Sequence, residues 1–266
     1  MGFATADTTL GWSRARRAAW YHFAFYKKTW RGSIISNFLF PILYLTSMGL
    51  GVGHLVNQHA GLVEGQRYVD FVAPGLLAIT AMQLGSGESM WPILGGLKWT
   101  KTYHAAIATP LEPDDVLAGK ILFVVGRVLF TSATYCVVMV AFGALHSWWS
   151  LVLPFVGALV GVAFTTPLIA FSSRLETDAP FALVQRFLIT PMFLFSATFY
   201  PVSQYPGALR PLVQLMPLYH GVALSRSAAF GHAQLLPTLG HVVVLVALSL
   251  GGWWFARRNF RRRLVV

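Results

Sequence analysis

Charge is scarce in this chain, and negative charge most of all. Nine of 266 residues are acidic, 20 are Lys or Arg, and charged residues make up 11%. A soluble domain carries roughly 25% charged residues, so an ordinary soluble fold is excluded. With 56% hydrophobic residues and a mean hydropathy of +0.60, the composition is that of a membrane protein. Cysteine occurs once, as Cys136, inside an apolar run. One cysteine excludes an intrachain disulfide and a multi-cysteine metal site, which leaves a buried small hydrophobe. No internal repeat, low-complexity tract or second domain is visible. A cleavable signal is not expected, because Arg14, Arg16 and Arg17 interrupt the N-terminal region before any short apolar core. The eight histidines form no metal constellation. His22, His104, His146 and His232 stand alone, and His54 and His59 are five apart where helical ligand pairs prefer four. No Ser-His-Asp order stands out, so no catalytic site, metal or cofactor is expected in this chain.

What the sequence does have is long apolar runs. A membrane-spanning helix needs roughly 20 apolar residues at about 1.5 Å each. Gly32 to Val63 carries no charge and allows a span near 34–55. Phe71 to Leu97 carries only Glu88 and gives a second near 70–92. Val128 to Ser173 is charge-free for 46 residues, about 69 Å as one helix and too long for a bilayer. It must turn at "HSWWS", His146 to Ser150, where paired tryptophans suit an interfacial belt. The third span is therefore near 119–144 and the fourth near 150–172. Phe187 to Leu209, beginning near Phe181, supplies a fifth, and 237–256 the sixth. The expected fold is an all-α membrane protein. Residues 1–32 form a tail and interfacial helix, 33–256 a single six-span domain, and 257–266 a basic tail.

Six spans put both termini on one side. With the termini in the cytoplasm, 15 of the 20 basic residues fall inside and only Arg67, Arg210 and Arg226 outside, as the positive-inside rule requires. The net charge of +11 would suggest nucleic acid in a soluble protein. Here the bases flank apolar runs, so membrane lipid is the partner and nucleic acid is not. From Trp12 to Trp30 arginines and aromatics interleave, "WSRARRAAWYHFAFYKKTW", as in an amphipathic helix lying at the inner interface.

The loop near 93–118 is the longest internal connection. Its start is basic, with Lys98 and Lys101; its end, "ATPLEPDDVLAGK", holds Glu112, Asp114 and Asp115. A short helix, a break at Pro110 and a new helix are expected. Asp114 or Asp115 can cap that new helix, because a carboxylate accepts its free N–H groups and suits the positive dipole end. Glu176 and Asp178 in "SRLETDAP" can cap the fifth span. Glu88 lies about 25 Å along the second span, at a depth like that of Arg127 on the third. Buried ionisable groups pair, so a Glu88–Arg127 contact is expected; a proton-coupled role for Glu88 is the other reading. Tyr200 to Pro217 carries four prolines, too many for one straight span. Short broken helices dipping back toward the bilayer, or an ordinary interfacial loop, fit it.

Two stretches carry a family resemblance. "ATPLEPDDVLAGK" resembles the coupling region of permease subunits of type-2 ABC exporters: a Thr-Pro-Leu step, an acidic pair, then Leu-Ala-Gly-Lys entering a span. "FLFSATFYPVSQYPGALRPLVQLMPLYHGVALSR", Phe193 to Arg226, is similar to the same family's signature near the fifth span. The nodulation-factor and drug-resistance exporter permeases are the nearest subgroup, and Ala197 stands where a Gly is usual. The resemblance implies two permeases, identical or homologous, with two separate ATP-binding subunits that hold ATP and Mg²⁺. This chain has no G-x-x-x-x-G-K-[ST] phosphate loop. The resemblance also implies a role for Thr109, Pro110, Leu111, Glu112, Asp114 and Asp115 in docking the ATPase, with basic residues as partners. Glu176 and Asp178 can add to that contact. Phe199, Tyr200, Pro201, Tyr205 and Pro206 would form an outer re-entrant gate. Met82, Gln83, Met90, Met192, Phe193 and Phe195 can line a path for a drug, lipid or lipid-linked glycan, or simply pack. The expected location is the bacterial inner membrane. An ion-coupled secondary transporter would show inverted repeats and midplane charges. A membrane-embedded enzyme would cluster His, Asp or Glu at the surface. Neither pattern is seen, and a non-transporting anchor or assembly subunit remains open.

Overall fold

The computed structural model describes residues 11–59, 61–231 and 234–265, and every extended element among them is helical. α1 (Trp12–Leu45) continues through a π-helical turn, Thr46–Val52, into α2 (Gly53–His59). α3 (Tyr68–Ser89) breaks at Met90 and resumes as α4 (Trp91–Leu94) and the π turn Gly95–Trp99. α5 (Thr102–Ile107) is short. α6 (Pro113–Ala141) and α7 (Leu153–Ser172) are long and joined by the 3₁₀ turn Trp148–Val152. α8 (Ala179–Val184), the π turn Gln185–Ile189 and α9 (Thr190–Phe195) make one apolar rod. The chain then steps through the 3₁₀ turn Val202–Gln204, α10 (Arg210–Leu215) and α11 (Pro217–Phe230) before α12 (Leu235–Leu264).

Proline sets most of the starts. Pro92, Pro113, Pro154, Pro180, Pro191, Pro211 and Pro217 sit in the first turns of their helices, where the missing N–H is one the helix leaves unpaired anyway. Among the described residues, five segments are long and apolar enough to cross a membrane: Trp30–Val56, Tyr68–Trp99, Pro113–Ala141, Trp148–Ser172 and Leu235–Leu264. α7 lies between α3, α6 and α12, while α1 packs along α6. The main core holds Phe71, Leu77, Met82, Val124, Tyr135 and Leu153.

Small residues allow the closest approaches. A Cβ at Gly119 would lie 2.5 Å from the Ala18 methyl and 2.8 Å from the Ala19 backbone nitrogen. Ala15, Ala18 and Ala19 form the buried face of α1 there. Where lipid is as apolar as Leu, such close backbone packing supplies the attraction between helices.

The elements differ from the sequence expectation in four places. The aromatic-basic segment 12–30 and the first span are one unbroken helix, with its Ala face on α6 and Trp12, Trp20 and Phe25 exposed. α6 begins at Pro113 rather than near 119, because Pro113 and the Glu112–Asp115 cap start the helix inside the acidic stretch. The rod expected to run to Leu209 ends at Phe195, since a bent stretch follows, with Ala197 at φ 60°. α12 runs through residue 256 to Leu264, so the basic tail is helical and packed over the described residues. Residues 1–10 and His232 lie outside the described part of the chain.

Candidate functional site

Both described ends of the chain meet at the start of α6. Arg14 of α1 reaches Asp115 Oδ2 from Nε at 3.0 Å and Glu112 Oε1 from Nη2 at 3.3 Å. Arg257 and Arg261 of α12 both donate to Asp114, at 2.5–2.8 Å. Asp115 also accepts the Glu112 backbone N–H at 3.1 Å, and the Glu112 side chain accepts the Asp115 N–H, a reciprocal capping box. The acidic stretch thus caps α6 and staples α1 and α12 to it. Asp114 and Asp115 are buried, 3% and 1% exposed, and their carboxylates face these internal arginines. Of the residues the resemblance assigned to docking, Thr109 and Pro110 are exposed and Leu111 and Glu112 half-buried.

The tip of this region is Ala105 to Pro110, exposed at Ala105, Ala108, Thr109 and Pro110. Lys101, in a left-handed conformation with φ 51°, turns the chain into α5. Tyr103, 4% exposed, anchors α5 by its ring edge against Phe260 of α12, with centroids 5.6 Å apart. Gly96 makes room for that ring; a Cβ there would stand 2.4 Å from it. Thr109 Oγ1 closes the turn by donating to the Ala106 carbonyl at 2.6 Å. Neither Tyr103 nor Phe260 stood out in the sequence, because a lone aromatic in a loop or in a basic tail carries no period. A second tie lies beside it. Lys98 Nζ meets Glu176 Oε2 at 2.9 Å, and Arg263 meets Glu176 Oε1 at 3.0 Å. The Lys98 hydrogen bond and then the Arg263 charge hold the Glu176 carboxyl below its usual range. Asp178 occupies the N-cap position of α8 without a side-chain capping bond. Neither acid caps the fifth rod.

Deeper in the bundle, Arg127 Nη1 donates to Glu88 Oε1, and Lys120 Nζ donates to Glu88 Oε2 at 2.6 Å. The structure brings together the two residues expected to pair and adds Lys120, the last residue of the stretch read as a family motif. The Arg127 guanidinium lies 4.7 Å over the Tyr26 ring. His22 stands beside this cluster, and burial, with the Lys120 charge second, pushes it down to about 4. A cavity of about 410 Å³ opens on these groups, and a groove of about 620 Å³ adjoins it under the α5 tip. A further cavity of about 880 Å³ is an apolar cleft beside Trp148 and Trp149 at the opposite end.

The expected path residues divide. Met82, Met90 and Met192 are buried in packed clusters, where they fill core gaps. Gln83 and Phe195 are exposed and Phe193 is half-buried. Among the gate residues, Tyr205 is buried with Ala197 and Val213, and Pro201 is buried. Tyr200 and Pro206 are exposed, and the Phe199 ring meets Phe193 at 5.5 Å. Arg226 ties this region together, donating to the Phe71 and Thr198 carbonyls at 3.0 and 2.9 Å while stacking on Phe71. One pairing carried no sequence signal. His220 of α11 and His241 of α12 are 21 residues apart, and their Nδ1 atoms lie at 2.7 Å. Among the described residues no group of three or more His, Cys, Asp or Glu could hold a metal ion.

The model of the ABC-2 type transporter family matches residues 16–230. Among curated proteins, Nodulation protein J of Rhizobium leguminosarum bv. viciae is 28% identical over 268 residues, covering 100% of both chains. Nodulation protein J of Rhizobium meliloti (strain 1021) is 27% identical over 242 residues, 90% of each. The inner membrane transport permease YadH of Escherichia coli (strain K12) is 24% identical over 224 residues, 82% of this chain and 86% of that one.

Proposed function

Because the chain belongs to the ABC-2 type transporter family, a family of membrane transport components and not of catalytic subunits, we propose that it is the permease of an ATP-driven exporter. ATP and Mg²⁺ bind the partner ATP-binding subunit, of which two copies dock on two permeases. The cargo is hydrophobic or amphiphilic: a drug, a lipid or a lipid-linked glycan. The membrane is the bacterial inner membrane, with the tip of α5 in the cytoplasm, as the distribution of Lys and Arg favours.

Six crossings fit this reading. Arg14 and Arg261 both reach the start of α6, so both described ends lie at one end of the bundle. An even number of crossings is needed. Five segments are long enough, and the apolar rod Ala179–Phe195 supplies the sixth. The aromatics exposed on α1 before Trp30 rest in the interface, and the proline-broken stretch 200–217 dips back at the outer end.

The observation that carries the proposal is the α5 tip. Ala105, Ala108, Thr109 and Pro110 stand exposed on a base fixed by Tyr103, the capping box and the Asp114 arginines. A protruding element on a rigid base can pass a partner's movement to α1, α6 and α12 together. Docking rests on the shape of the tip and on the half-buried Glu112, while Asp114 and Asp115 keep its base rigid. Gln83, Phe193 and Phe195 are the path residues open to cargo. Isolation from the native membrane tests the reading. An ATP-binding subunit that travels with the permease supports it, and a permease isolated repeatedly without one counts against it.

A further inference from the structure

Glu88 is one carboxylate between two cations. Lys120 and Arg127 both donate to it, so the cluster carries one unbalanced positive charge. The Asp114 cluster has the same count, but its arginine side chains are 38% and 42% exposed and water screens them. Lys120 is 3% exposed and Arg127 16%. Both lie in segments long and apolar enough to cross a membrane, where an unpaired charge is costly and marks a functional site. His22 adds no charge near neutral pH, with its value at about 4. Among the described residues, Glu88 is the one acceptor that either cation reaches. The Arg127 guanidinium carries five donors and the Lys120 ammonium three, so most remain for something else.

These donors face the cavity of about 410 Å³, which has room for a headgroup. Phe25, 66% exposed, stands at its rim, where acyl chains would lie. Tyr21, His22, Thr102 and Tyr103 are shared with the groove under the α5 tip, so the two spaces are neighbours.

We propose that the Glu88–Lys120–Arg127 cavity binds the anionic phosphate headgroup of an amphiphile, with Arg127 and Lys120 as its donors. Arginine recognises phosphate through paired N–H groups, and lysine as a point charge. Glu88 holds both cations in place and sets the affinity by neutralising one of them. Headgroup binding here deepens the transport reading by naming the charge of the cargo. It is measured without ATP or transport, so it can fail while that reading stands.

The test is native mass spectrometry of the purified chain, titrated with phosphatidylglycerol, with phosphatidylcholine of the same acyl chains, and with inorganic phosphate. Phosphatidylglycerol is retained about tenfold better than phosphatidylcholine, the size of one charge-assisted hydrogen bond. Arg127→Gln leaves a balanced Glu88–Lys120 pair, so the fold stands, and the preference disappears. Glu88→Gln raises the local charge and strengthens retention. A purely structural cluster would move both variants the same way. If inorganic phosphate displaces the lipid, the site reads phosphate alone; if it does not, the site reads the headgroup with its chains. Both outcomes support anion binding. Equal retention of the two lipids by the native chain overturns it, as does a loss of retention in both variants. Should Glu88→Gln fail to fold, Lys120→Gln takes its place and must weaken retention as Arg127→Gln does.

Discussion

Arg261 closes a two-pronged fork on Asp114 across 147 residues of chain, Nε to Oδ1 at 2.8 Å and Nη2 to Oδ2 at 2.5 Å. The last helix is thereby fastened to the cap of α6. A carboxylate next to a proline-marked turn, in a chain so poor in acids, serves first to hold the fold's own arginines.

Asp114→Ala removes both prongs and the Arg257 bond together. The carboxylate is buried, but its arginines are partly exposed, so the expected loss is about 2–3 kcal/mol rather than the full cost of a buried orphan charge. Thermal melting falls by several degrees, and limited trypsin cleavage appears at Arg257 to Arg263. Glu112→Ala, which keeps the Asp115–Arg14 pair, costs about 1 kcal/mol, the value of a cap.

Tyr103→Ala leaves a hole between Gly96 and Phe260 and costs about 3 kcal/mol. Tyr103→Phe retains the ring packing and stays within about 1 kcal/mol of the native chain. A spin label at Ala105 reports the difference: the α5 tip becomes mobile in the Ala variant and stays ordered in the Phe variant.

Acid loosens the docking of α1. His22 is held at about 4 when folded against 6.5 otherwise. Between those values the undocked state takes a proton that the docked state refuses, so stability falls as pH drops from 6.5 toward 4. The span of the shift corresponds to about 3 kcal/mol at its limit. Glu176 adds a smaller loss at lower pH, since its folded value is depressed and its pairs with Lys98 and Arg263 fail on protonation. Melting curves from pH 7.5 to 4.5 slope downward in the native chain. His22→Gln flattens this slope and leaves only the smaller fall from Glu176 at the acid end.

Ala197 sits at φ 60°, where a Cβ costs about 1–2 kcal/mol. It is 1% exposed beside Tyr205 and Val213, so Ala197→Gly gains backbone ease and loses one buried methyl, worth about 0.8 kcal/mol. The melting temperature therefore rises slightly or holds. Ala197→Val, branched at Cβ in this conformation, lowers it by several degrees.

The sequence showed what periodicity and composition can carry. Long charge-free runs located the helices, because each must bury its backbone polar groups within itself in lipid. Glu88 and Arg127 were readable as partners because helical rise alone sets their depth. The capping role of Asp115 was readable, but the ion pairs of Asp114 and Asp115 were not. Their arginine partners come from the far ends of the chain, and only the packing of α1 and α12 on α6 brings them near. The division of the path residues followed the same logic. Met82, Met90 and Met192 share the composition of a lining residue, but which face of a helix meets its neighbour is decided by close contacts such as Gly85 against Gly161. The fifth rod ends at Phe195, just before the left-handed turn at Ala197; composition gives no sign of that turn, and the one hint was that a Gly is usual at this position.

The account stands or falls on whether the α5 tip engages an ATP-binding subunit. The direct measurement is ATPase activity and subunit retention in complexes isolated from native membrane, comparing Ala108→Arg and Pro110→Arg with the native permease. Both positions are exposed, so the permease itself should keep its melting temperature. The account predicts that each variant loses the ATP-binding subunit, or keeps it with cargo-stimulated activity reduced at least tenfold. Retention and activity unchanged in both variants would contradict it, and would move the contact for the ATPase away from this tip.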